Sequence, residues 1–304
     1  MEKDFSLIYK IYCFLFLFSL NFIKKNKNEN EEYLKDSDFH LQNINKSFPQ
    51  DNTTLVSALY NISSKYTFNN YLIWVKNLLQ INCSIIFFID KSISRKIKNE
   101  RPEIYNNKTI WIELDIENFI SYKYFLKYFR ESHKIDYEKN IHSIPLYLVW
   151  AEKCFFIKRA IIKNFFNSTC FYWIDAGYFR TRNISRYLKG WPSSKRCFED
   201  PRVIINSIRF IKEKEIKGFL KLSYRFYNNF IKKVNVGGGL FGGSVHNLVK
   251  FIDLYYKTIK TFIKKELFIG KDQNLFAYIS YSYNDVVKII YSGDWFFLES
   301  FLSK

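Results

Sequence analysis

The sequence predicts an α/β protein whose sheet is covered by helices on both faces. Three observations predict it. Continuous apolar runs of strand length recur, as in SIIFFID at 84–90 and FYWID at 171–175. Between them lie longer stretches with apolar residues three and four apart, the helical spacing. The runs also lack the polar alternation of a sheet with one wet face, so both faces need cover. With 304 residues, 48% of them hydrophobic, the chain can bury a large core.

Taken in order, TTLVSALYNI (53–62) reads as a first strand and NYLIWVKNLLQ (70–80) as an amphipathic helix. SIIFFID ends on Asp90, and TIWIEL (109–114) is another strand. PLYLVWAEKCFFIKRAIIKNFF (145–166) has helical length and spacing, and FYWID follows as a strand ending on Asp175. Residues 235–248, NVGGGLFGGSVHNL, hold five glycines in seven positions. Glycine is costly inside a helix or strand, so this stretch reads as a loop or tight hairpin. It leads into a helix with Ser244 as N-cap. GKDQNLFAYIS (270–280) opens a last clear helix, with Asp272 as its expected N-cap.

The ends differ in character. Ile11 to Ile23 is strongly apolar and flanked by lysines, but 13 residues are short for a span of about 20. Extension back to Phe5 reaches that length by including Lys10. Residues 1–23 are therefore expected to form a single N-terminal membrane anchor or a buried or interfacial helix. Residues 24–50 are polar and read as a stem or linker, with a catalytic body over 51–304. The body is expected to be membrane-associated or cytoplasmic, and the lysines on both sides of the apolar run give no orientation.

The net charge of +18 comes from 36 lysines and 11 arginines spread along the chain. Sequence-specific nucleic-acid recognition relies on arginine more than on dispersed lysine, so nucleic acid is not the expected partner. Arg180, Arg182 and Arg186 follow Asp175 closely. Five scattered cysteines without a CxxC pair predict a mostly reduced protein, and neither they nor the four histidines have zinc spacing.

Ligands of open α/β sheets bind at the carboxyl ends of the strands. Asp90 and Asp175 both stand there. A carboxylate at that edge can hold a divalent cation against a substrate diphosphate, or simply cap a turn. Gly177 allows close approach of a ligand or a turn. Asp294, in YSGDW, is a further acidic candidate.

The segments TTLVSALYNI, WIDAGYFR, GGGLFGG and KDQNLF, in this order over roughly residues 53–295, resemble the HtrL/YibB family of glycosyltransferase-like proteins. The resemblance implies a single GT-A-like, Rossmann-type domain with a mixed, mostly parallel sheet. It implies transfer of a sugar from a nucleotide-diphosphate donor to a hydroxyl of a glycan, protein or lipid acceptor. Asp175 takes the first position of an Asp-x-Asp motif, bordering metal or donor ribose. Asp90, Gly177, Arg180 and Arg182 would lie on the donor side. Gly237, Gly238, Gly239, Gly242 and Gly243 would line an acceptor or sugar loop, and Asp272 and Gln273 would be the catalytic pair. The pattern departs from Asp-x-Asp at Gly177, where a second carboxylate is missing, and no histidine follows in YSGDW. Manganese or magnesium held by Asp175 with Asp294, and a metal-independent site relying on arginine, both remain open. So does a non-catalytic nucleotide-sugar-binding protein of the same fold.

Overall fold

The computed structural model describes residues 50–180, 190–233 and 235–303. Residues 1–49, with the apolar segment and most of the stem, lie outside the described residues, as does Arg182. Among the described residues, no helix is long and apolar enough to cross a membrane.

The chain opens with β1 (Thr53–Leu59), α1 (Phe68–Leu79), β2 (Ser84–Ile89), α2 (Lys91–Lys98) and β3 (Thr109–Glu113). Two long helices follow, α3 (Ile120–Ile135) and α4 (Ile144–Lys163), and then β4 (Cys170–Ile174). The remainder runs α5 (Lys195–Glu199), β5 (Val203–Ser207), α6 (Glu213–Leu220), α7 (Tyr224–Ile231), β6 (Val236–Ser244) and α8 (Val245–Lys264). It closes with α9 (Asp272–Ser282), β7 (Val287–Tyr291) and α10 (Phe297–Phe301). The described strands form one sheet in the order β3-β2-β1-β4-β6-β5-β7. Pairing is parallel between β1 and β2, β2 and β3, β1 and β4, and β5 and β7. β6 runs antiparallel to both of its neighbours, β4 and β5. The mixed, mostly parallel sheet flanked by helices is therefore present.

Every residue of β1, β2 and β4 is buried, which explains why their sequences read as unbroken apolar runs. On one face Tyr172 and Ile174 join Val75 and Leu78 of α1, Ile93 and Ile97 of α2, and Leu298 of α10 in one cluster. On the other, Phe156 of α4 stacks on Phe88 (ring centroids 4.4 Å apart) and on Trp173 (5.9 Å). Pro145 in the first turn and Ser143, whose side chain accepts from the Leu146 amide, start α4. Asn164 ends it in the left-handed conformation.

The glycine-rich stretch departs from expectation. It is a central strand, not a loop or hairpin tip. The cost of fixing glycine is offset because β6 pairs on both sides, and because its small residues let the neighbouring strands approach. A β-carbon on Gly242 would collide with the Phe171 carbonyl, and one on Gly243 would sit 2.5 Å from the Arg202 carbonyl oxygen. The cap of the next helix is as expected, with Ser244 accepting from the Asn247 amide.

The cysteines also differ from expectation. Cys170 and Cys197 form a disulfide joining the start of β4 to α5, while Cys83 and Cys154 are free and buried. The pair is 27 residues apart in sequence and meets because the chain returns beneath β4, which spacing alone does not reveal.

Candidate functional site

The antiparallel pairing of β6 builds the site. Ile174 faces Leu240 in the ladder, and the next rung continues it, with the Asp175 amide donating to the Gly239 carbonyl at 2.8 Å. Asp175 thus leaves the carboxyl end of β4 directly opposite Gly239. Its Oδ1 accepts from Trp173 Nε1 at 2.7 Å. A β-carbon on Gly239 would lie 3.3 Å from both Asp175 Oδ2 and Trp295 Nε1, and 3.2 Å from the Tyr178 ring. These three groups already crowd the space over Gly239, so the missing side chain is what lets them close on the strand.

A buried lysine from α4 completes the arrangement. Lys153 Nζ lies 3.0 Å from Asp175 Oδ1 and 2.9 Å from Asp272 Oδ2, and donates to the Gly238 carbonyl at 2.9 Å. The side chains of Lys153 and Asp272 are each 3% exposed, whereas that of Asp175 is 36% exposed. Asp175 is therefore the member of the trio that can meet a ligand. Burial pulls the Lys153 ammonium towards neutrality, but the two carboxylates outweigh it and its pKa is raised. Burial raises the pKa of Asp272 above the usual carboxylate range, more than Lys153 lowers it. Gly238 is needed here, since a β-carbon on it would come within 2.8 Å of Asp272 Oδ2.

The other expected residues fall in varied places. Asp272 is the first residue of α9 rather than its N-cap, which is Lys271. Its Oδ1 accepts from the Gln273 amide at 2.8 Å, and Gln273 itself is half-buried. Asp90 caps α2 by accepting from the Ser92 amide at 2.8 Å. It ends β2, two strand spacings from β4, or roughly 10 Å across the sheet. Gly237 has only ordinary contacts, and Gly242 and Gly243 pack against neighbouring strands. Arg180 lies over the rings of Trp74 (4.7 Å), Tyr66 (4.8 Å) and Phe296 (5.4 Å), and donates to the Tyr66 hydroxyl. Its cation–π contacts hold the guanidinium beside the turn after β4.

The Asp-x-Asp position tests the fit of a divalent cation. A β-carbon on Gly177 would stand 2.9 Å from the Trp74 ring and 3.0 Å from that of Tyr71. The position therefore has neither a carboxylate nor room for one. Asp294, the suggested substitute, is exposed and accepts from the Phe296 amide at 3.0 Å, closing the turn before α10. Lys153 already contacts both Asp175 and Asp272. These residues do not fit a divalent metal.

A second acidic group lies nearby. Asp136, Glu138 and His142 bring their ligand atoms within 4.8 Å of one another. Asp136 Oδ2 accepts from His142 Nδ1 at 2.7 Å and from the Tyr147 hydroxyl at 2.5 Å, and Glu138 pairs with Lys271.

Sequence reasoning missed Lys153 and Trp173. The signal for Lys153 was available, because Glu152 and Lys153 interrupt an apolar run from Ile144 to Ile157, and both are buried, as is Arg159. Buried charges require partners. Glu152 accepts from the Ile120 and Ser121 amides at the start of α3 and pairs with Arg159.

The sheet order defines a mixed α/β protein of the Rossmann kind. Residues 51–302 match the HtrL_YibB family, described as bacterial protein of unknown function, and the chain belongs to that family. No curated protein matches it. Among solved structures, it is similar to core-mannan synthase A (CmsA/Ktr4) from Aspergillus fumigatus in its Mn/GDP form. That similarity has 12% identity and a TM-score of 0.43, over 79% of this chain and 73% of the other. It is also similar to 4-diphosphocytidyl-2C-methyl-D-erythritol synthase from Anaerococcus prevotii DSM 20548. There the identity is 12% and the TM-score 0.34, over 83% of this chain and 96% of the other.

Proposed function

We propose that the protein is a glycosyltransferase moving a sugar from a nucleotide-diphosphate donor to a hydroxyl acceptor. The observation that carries this reading is the Asp175 carboxylate, 36% exposed just past the carboxyl end of β4 and held by Trp173 Nε1 and Lys153. Ligands of this architecture bind at that edge, and a carboxylate there can accept hydrogen bonds from the hydroxyls of a sugar or ribose.

In the proposed reaction the acceptor oxygen bonds to the anomeric carbon. The bond from that carbon to the diphosphate breaks, and the nucleoside diphosphate leaves with the electron pair. The acceptor proton passes to a base at the site. Asp175, half-exposed at the sheet edge, suits contact with the donor, and Arg180 supplies positive charge for the leaving diphosphate. Asp272, buried behind Lys153, acts through that lysine as a positioning residue, in place of the catalytic role expected for it with Gln273.

The test is a panel of nucleotide sugars incubated with the protein, following nucleoside diphosphate release and thermal stability together. One or more donors should raise Tm and be turned over, and Asp175→Asn should reduce both. A panel in which nothing binds would sink the reading. A non-catalytic nucleotide-sugar-binding protein is the second reading, favoured by the burial of Asp272, which leaves Asp175 as the exposed carboxylate of the trio. Binding at full strength without release would establish it.

A further inference from the structure

We propose that the ammonium of Lys153 takes the place a divalent cation would hold between Asp175 and Asp272, so that the site binds its nucleotide without metal. This inference rests on the transferase reading for the ligand, and on geometry for the lysine. An ammonium has three donors. Lys153 donates to the Gly238 carbonyl at 2.9 Å and forms ion pairs with Asp175 Oδ1 and Asp272 Oδ2 within 3.0 Å. The three partners come from different parts of the fold: the end of β4, α9 and β6.

A metal bridging the same carboxylates would need their oxygens at about 2.0–2.6 Å. It would have to displace the ammonium from a pocket where the lysine is 3% exposed. No outlet offsets that cost, because Lys153 sits mid-way along α4 between the buried Glu152 and Cys154, and a buried charge without its partners is strongly unfavourable. At the Asp-x-Asp position, Trp74 and Tyr71 occupy the space a second carboxylate would need. Lys153 thereby fixes Asp175 with Oδ1 engaged inward, leaving Oδ2 for a ligand.

The experiment uses the full chain. Mn²⁺ binding is followed by loss of the electron paramagnetic resonance signal of free Mn²⁺, with and without UDP and GDP. Tm is measured with each nucleotide in EDTA and in Mn²⁺. The wild type should take up no Mn²⁺ that depends on Asp175, and a nucleotide that binds should raise Tm equally in EDTA and in Mn²⁺. Lys153→Ala should open the position and gain Mn²⁺ binding, which Lys153→Ala combined with Asp175→Asn should lose again. Mn²⁺ uptake that persists in Asp175→Asn lies elsewhere and leaves the proposal standing. Wild-type uptake abolished by Asp175→Asn, or nucleotide affinity at least about tenfold higher with Mn²⁺, would overturn it. A folded Lys153→Ala chain that binds no Mn²⁺ would overturn it too. If Lys153→Ala does not fold, the wild-type comparison still decides. If neither nucleotide shifts Tm, the transferase reading loses support, while the Mn²⁺ titrations still judge the lysine.

Discussion

Trp173 Nε1 donates to Asp175 Oδ1 at 2.7 Å, across two residues of the same chain. Trp173 is 1% exposed and stacks on Phe156, so a ring held by the core fixes the direction of the one half-exposed carboxylate. Trp173→Phe keeps the ring packing and removes the donor. A hydrogen bond to a charged group contributes about 1.5–3 kcal/mol, and losing it should weaken nucleotide binding by roughly tenfold. Thermal unfolding and a binding titration would check this, and unchanged affinity would show that the bond does not orient Asp175.

Restoring the missing Asp-x-Asp carboxylate should fail. Gly177→Asp drives a side chain into the Trp74 and Tyr71 rings, where even a β-carbon is at 2.9–3.0 Å. Overpacking of this kind costs about 1–3 kcal/mol. Tm should fall and no Mn²⁺ binding should appear. Gly177→Ala separates the two effects, since it keeps most of the crowding without the charge.

Acid stability should depend on Asp136. Burial acts to raise its pKa, but the bonds from His142 and Tyr147 and the Glu138 amide outweigh this and lower it to about 2. Because the folded value lies below the unfolded one, the contribution is complete above the unfolded pKa near 4. It is lost as pH falls through about 2. The contribution is on the order of 2 kcal/mol. Asp136→Asn should lower stability at neutral pH and flatten its fall in acid, with the two proteins converging near pH 2 in denaturant titrations.

The Cys170–Cys197 disulfide should stabilise the fold and leave Asp175 unaffected, because Cys170 begins β4 whereas Asp175 follows its other end. Cys197→Ser, or reductant, should cost about 2–4 kcal/mol. Reductant should add nothing further to Cys197→Ser, and nucleotide affinity should hold in both.

The strands around β1, β2 and β4 were legible because burial on both faces left unbroken apolar runs, and the long helices because their spacing follows one apolar face. Asp175 was legible for the same reason, as a charge ending such a run. Strand β6 was not. Its glycines carry the propensity of a turn, and only tertiary pairing with Phe171 and Arg202 makes their lack of side chains an advantage. Lys153 was hidden because its partners come from β4, β6 and α9, and no local pattern announces a contact with Asp272, 119 positions on in the numbering. Its visible mark was a charge out of keeping with its helix.

The single reversed strand has a consequence for mutational scanning. Two of its glycines, 238 and 239, border Asp272 and Asp175, while 242 and 243 sit between neighbouring strands further along the same ribbon. A scan scored by survival would return one uninterrupted block of intolerance and suggest a single loop motif. Scored separately for expression and for ligand retention, the block should divide at Leu240, with Gly239→Ala yielding folded but ligand-blind protein and Gly242→Ala yielding little folded protein at all.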